Sequence, residues 1–274
     1  MYGVRFLALL LLLVVANSFV NGGEAALNPI AVAAERIEEQ PGARFAMTAI
    51  YTAPGLTQSL VAHGKGARNS QTGRSRAVLS VNVPQTSTKI DVESIGDGTS
   101  IYMRGSAVSS ELPQGKEWVQ IQPFLGHSES EAMLGGSDTD SSLQMLGSAG
   151  DVEEVGTERL NGVSTTRYHA VVDFDDYADA LRDEGKDEMA DLYEKYDEIA
   201  PDPVEIEAWV DDRKILRRSR MVMEIPSQPG APTLTMDMRM DFYDFGARPR
   251  IELPDPGRVY DATPTLEREL DAAD

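Results

Sequence analysis

The run Leu234-Thr-Met236-Asp-Met238-Arg-Met240-Asp-Phe242 alternates without a break between large apolar side chains and the polar residues Thr235, Asp237, Arg239 and Asp241. Strand side chains point to opposite faces with a period of two, so this segment reads as a β-strand with one dry face and one wet face. Three unbranched, polarizable methionines on the dry face suit an irregular core gap or a surface that accommodates variable apolar shapes. The alternation alone leaves both open.

Two neighbouring segments repeat the pattern. Val204, Ile206, Ala208 and Val210 alternate with Glu205, Glu207 and Trp209, and Met221, Met223 and Ile225 alternate with Val222 and Glu224. Strands are expected at 204–210, 215–225 and 234–243, with their apolar stripes on one side. Upstream, strand-like segments at 44–51, 58–65, 74–83, 88–95, 100–104 and 117–121 are separated by turn residues, which predicts an antiparallel meander. Segments 152–160 and 163–174 flank Asn161-Gly162, the strongest short-range hairpin signal in the chain.

Helical periodicity is confined to two places. Asn28-Pro29 reads as a cap followed by proline at the first helical position, and Ile30, Ala33, Ala34 and Ile37 share one face up to Pro41-Gly42. Residues 175–199 pair Tyr177 with Leu181, and Met189, Leu192, Tyr193, Tyr196 and Ile199 follow helical spacing, which predicts two amphipathic helices broken near Gly185. They serve either as core helices covering one face of a sheet or as a lid on an apolar cavity. Asp175 or Asp176 is expected to cap the first of them. The polar stretch 122–141 is the best candidate for a mobile loop, ahead of a short helical segment around Leu143, Met145 and Leu146.

The first residues form a targeting segment, with Arg5 as its only cation and an apolar stretch from Phe6 to Ala16. That stretch is shorter than the roughly 20 apolar residues of a spanning helix, although Phe19 and Val20 extend it, so 1–26 reads as a signal peptide or an N-terminal hydrophobic anchor. An exported chain without cysteine has no disulfides, and its stability must come from a packed core. The net charge of −20, from 45 acidic residues against 25 basic ones, argues against nucleic acid and against charge-driven docking on an anionic membrane.

No catalytic constellation is visible. Gly-x-Ser-x-Gly, His-Glu-x-x-His and Gly-x-Gly-x-x-Gly are absent, and Gly64-Lys65 is followed by glycine where a P-loop needs a hydroxyl. His63, His127 and His169 are scattered singles expected to face solvent or make hydrogen bonds. Asp138 with Asp140, and Asp173 with Asp175 and Asp176, lack the glycine and terminal glutamate of a calcium loop. No metal, cofactor or enzymatic role is expected. Trp118 and Trp209 fit either a cavity rim or plain packing on the sheet.

The order of elements, together with three passages, resembles the LolA-like group and, within it, the actinobacterial envelope lipoproteins of LppX and LprG type. The passages are Asp151-Val-Glu-Glu-Val-Gly156-Thr-Glu-Arg-Leu-Asn-Gly162 with Thr166-Arg-Tyr168, Val204-Glu-Ile-Glu-Ala-Trp209-Val-Asp211-Asp-Arg-Lys-Ile-Leu-Arg217-Arg, and Tyr243-Asp-Phe245-Gly246 followed by Ile251-Glu-Leu-Pro254. The resemblance spans roughly residues 28 to 256 and implies an α+β fold: a curved antiparallel β-sheet, an unclosed half-barrel, wrapped around a few amphipathic helices. It also implies a hydrophobic cavity for acyl chains of lipids or glycolipids crossing the cell envelope. One departure stands out. Val20-Asn-Gly-Gly23 occupies the place of the family's acylated cysteine, so a lipid anchor is not expected.

The resulting expectation is a lipid-binding domain over 27–258, an acidic flexible tail over 259–274, and non-enzymatic lipid transport outside the cytoplasmic membrane. Met221, Met223, Met236, Met238, Met240 and Phe242 are the expected cavity lining, with Ile206 and Tyr193 beside them. The alternative is an envelope sensor that binds a partner protein and responds to lipid.

Overall fold

The computed structural model describes residues 29–122 apart from 56, 84–87, 107, 110 and 111, then 152–183, 187, 190, 191, 194, 203–225 and 234–265. The expected 122–141 loop beyond its first residue, the helical segment around Leu143, most of the second half of the 175–199 helical region including Tyr193, and the N-terminal segment lie outside the described residues.

Helix α1 is Pro29–Glu38, with proline at the position where a missing N–H costs nothing. Its Ile30, Ala33 and Ile37 are buried, and the helix packs on the strands Gly42–Thr52, Val204–Asp211 and Leu216–Ile225. The strands are β1 Gly42–Thr52, β2 Leu60–Asn69, β3 Arg74–Val83, β4 Thr88–Gly96, β5 Ile101–Gly105, β6 Trp118–Ile121, β7 Val152–Leu160, β8 Val163–Val172, β9 Val204–Asp211, β10 Leu216–Ile225, β11 Leu234–Tyr243 and β12 Val259–Asp261. Helix α2, Phe174–Asp183, follows β8 directly.

The cap of α2 differs from the expectation. Asp173 Oδ1 accepts from the Asp175 amide at 2.9 Å and Asp173 O from the Tyr177 amide at 3.1 Å, so Asp173 is the cap. Asp175 and Asp176 lie in the first turn, where their charge meets the helix dipole. Phe174 opens the helix instead of closing β8, and Phe174, Tyr177, Ala178 and Leu181 are all buried.

All twelve strands form one unclosed sheet in the order β12-β6-β5-β4-β3-β2-β1-β11-β10-β9-β8-β7. Two meanders, β1 to β6 and β7 to β11, meet where β1 pairs with β11, and every ladder is antiparallel except β12 on β6. The central join sets Phe45 opposite Phe242, Met47 opposite Met240, Ala49 opposite Met238 and Tyr51 opposite Met236. Arg44 Nε and Asp244 Oδ2 close its end at 2.9 Å. One continuous apolar core lies on this inner face and takes in α1 and α2. Among the described residues, no helix is long and apolar enough to cross a membrane.

The outer face is more structured than its charged residues suggest. Glu207 receives Arg167 and, at 3.1 Å, Arg220, which in turn reaches Asp237 at 2.8 Å, while Trp209 donates its indole N–H to Glu158. Both tryptophans pack on this face. Arg104 stands over Trp118 at 4.7 Å, and Arg167 and Arg218 stand over Trp209 at 5.4 and 5.6 Å. Beyond β11 the chain crosses the outer face as a strap. Asn69 Nδ2 donates to Pro249 O at 3.0 Å, Arg74 Nη1 donates to Ile251 O at 3.1 Å, and Ile251 is buried with Ile95 and Trp118 in a second small core. The sequence expectation starts a tail at 259, yet residues 259–261 pair with Trp118–Gln120 as β12.

Candidate functional site

Inner-face geometry follows from register. Met238 lies between Ala49 of β1 and Met221 of β10, and Met236 between Tyr51 and Met223. Met221 is in turn opposite Ile206 of β9, which is opposite Ala170 of β8. Residues directly opposite on antiparallel strands share a face, so these five strands carry one apolar band. Met236, Met238, Met240, Phe242 and Ile206 are buried in the core, and Met221 and Met223 are partly buried against it. The structure therefore brings together seven of the eight expected lining residues, and the eighth, Tyr193, lies outside the described residues.

The band is wider than expected. Phe45, Met47, Ala49 and Tyr51 of β1 belong to it, and across β2 to β5 it continues through Leu79, Val92 and Met103. The signal for β1 was present, since Phe45, Met47, Ala49 and Tyr51 alternate with Ala46, Thr48 and Ile50. What the sequence lacked was any sign that β1 pairs with β11 across nearly the whole chain.

Chemically, the band offers thioethers, aromatic rings and methyl groups, which bind by excluding water and by dispersion rather than by charge. Burial pushes the Tyr51 phenol well above its ordinary range, so it stays neutral at any physiological pH. The two described histidines do not enter this face, and His127 lies outside the described residues. His63 is exposed on the outer side with Nδ1 at 3.3 Å from Thr48 Oγ1, and His169 lies opposite Glu207.

These features define a large unclosed antiparallel sheet with one methionine-rich apolar face and a few short helices. No protein-family model matches the chain, and no curated protein matches it. Solved structures similar to it include the lipoprotein LppX of Mycobacterium tuberculosis, 13% identical with a TM-score of 0.45, the match covering 82% of this chain and 96% of that one. LprF of Mycobacterium bovis is 14% identical with a TM-score of 0.39, covering 83% and 95% respectively. A lipoprotein-sorting protein domain of Vibrio parahaemolyticus is 10% identical with a TM-score of 0.26, covering 81% and 93%.

Proposed function

We propose that this chain binds the acyl chains of lipids or glycolipids in a hydrophobic cavity on its inner face, with the sheet curved around its helices, and carries them in the cell envelope without catalysing a reaction. One observation carries the proposal: the apolar band from β1 through β11 and β10 to β9, in which Met47, Met221, Met223, Met236, Met238 and Met240 adjoin one another across the three strands β1, β11 and β10. A plain core is usually filled by branched residues of fixed shape, whereas methionines repack around a flexible guest. Each acyl methylene withdrawn from water stabilises the complex by about 0.8 kcal/mol, so ten of them bind tightly without specific polar contacts. Such a carrier acts outside the cytoplasmic membrane, in keeping with the export-type N-terminal segment.

The test is native mass spectrometry of the full chain purified without detergent, followed by organic extraction and lipid identification. A reproducible one-to-one lipid adduct is the expected result. A clean mass that stays clean after incubation with envelope lipids would overturn the proposal and favour a protein-binding sensor.

A further inference from the structure

The strap and the outer face of β3 to β6 border an open cleft of about 550 Å³. Arg76, Glu93, Arg104 and Trp118 form its floor, and Arg250 and Glu252 stand on the strap side. Glu93 is the only floor carboxylate, and both its oxygens are engaged: Oε1 by Arg76 and Oε2 by Arg104, each at 2.6 Å. Its side chain is only 12% exposed, whereas those of Arg76 and Arg104 are 50% and 45% exposed. The two arginine side chains thus stay about half exposed while the carboxylate they share is shielded. Arg250 and Glu252 pair with each other at 2.5 Å, but both are largely exposed, and such a pair opens at little cost.

Three guanidiniums against two carboxylates leave the cleft with one excess positive charge, in a chain whose net charge is −20. Leu253 and Pro254 add an apolar wall. The volume is that of a small-molecule site and exceeds a bare ion. We propose that this cleft is a second binding site, separate from the inner face, for a small organic phosphate. Its oxyanion is held by Arg76, Arg104 and, after release from Glu252, Arg250, and its carbon portion rests on Leu253 and Pro254. Planar guanidiniums suit this task because they present paired N–H donors that match phosphate oxygens. Pinning of the strap by Asn69 and Arg74 keeps the walls in place before any ligand arrives.

Isothermal titration of the full chain with glycerol phosphate, in a phosphate-free buffer of low ionic strength, tests the site. Saturable one-to-one binding is expected, with inorganic phosphate weaker and glycerol inert. Arg250→Gln and Arg76→Gln should each weaken binding about tenfold, the effect of losing a charge-assisted hydrogen bond. Glu93→Gln should tighten it, because the floor loses its only anion, an outcome that a purely structural role for Glu93 does not produce. A soluble short-chain phosphatidylglycerol, titrated in parallel, separates the two sources of the phosphate: tighter binding than glycerol phosphate that Arg76→Gln weakens assigns the cleft to a lipid headgroup, and equal binding, or tighter binding that Arg76→Gln leaves unchanged and that therefore belongs to the inner face, assigns it to a free organic phosphate. No saturable heat from either probe, or affinities unchanged in Arg76→Gln and Arg250→Gln, would overturn the proposal.

Discussion

The ring of Phe45 on β1 occupies the space that a side chain at Gly66 on β2 would need. A Cβ built on Gly66 falls 2.3 Å from Phe45 Cζ and 2.4 Å from Arg76 O. The glycine lets an aromatic side chain lie flat across the neighbouring strand, and Gly66→Ala forces both the ring and the β3 backbone to move. We expect a loss of about 1–3 kcal/mol, the cost of overpacking, measured as a lower urea midpoint with an unchanged slope.

Met221 and Met223 are partly buried, so charged substitutions there test lipid binding with less damage to folding than at Met236, which is fully buried. Met221→Asp with Met223→Asp should remove the bound lipid from native mass spectra. Glu205→Ala, on the outer face, should retain it. Far-ultraviolet circular dichroism of both variants checks that the sheet persists; equal lipid retention by the two would refute the assignment of the band.

Glu207 sits at the centre of the outer-face network with a side chain only 12% exposed. Desolvation raises its pKa, but hydrogen bonds and charge attraction from Arg167 and Arg220 outweigh that and hold it below the ordinary glutamate value. A folded pKa below the unfolded one means that the stabilisation is present above the unfolded value, about 4.3, and is lost as pH falls through the folded one. Thermal melting should decline on acidification below that point, and Glu207→Gln should flatten the decline.

The hairpin after β7 turns through Asn161 at φ 51° and Gly162 at φ 85°. Two consecutive left-handed residues are what a tight two-residue turn requires, and glycine adopts this conformation without steric cost. Gly162→Ala should cost on the order of 1 kcal/mol, read as a lower midpoint in chemical denaturation, while Asn161→Gly should be nearly neutral.

Ile251 anchors the strap by packing with Ile95 and Trp118. Ile251→Ala should destabilise the protein by roughly 2–4 kcal/mol and increase proteolysis within residues 244–258. Unchanged proteolysis there would mean that the backbone bonds from Asn69 and Arg74 hold the strap without the side chain.

Local chemistry wrote most elements into the sequence. Strands 74–83, 152–160 and 234–243 have the limits that their alternation predicts, and Pro29 and Asn161-Gly162 mark a helix start and a turn, because period and backbone preference act over a few residues. The chain also showed which methionines share a side. It did not show that Met236 faces Tyr51, that Arg104 stands over Trp118, or that 250–254 borders a cleft of arginines. Those pairings depend on which strands become neighbours after the chain has closed over nearly its full length. The choice among such closures is made by the total apolar surface buried, a quantity that belongs to the tertiary structure and to no single segment.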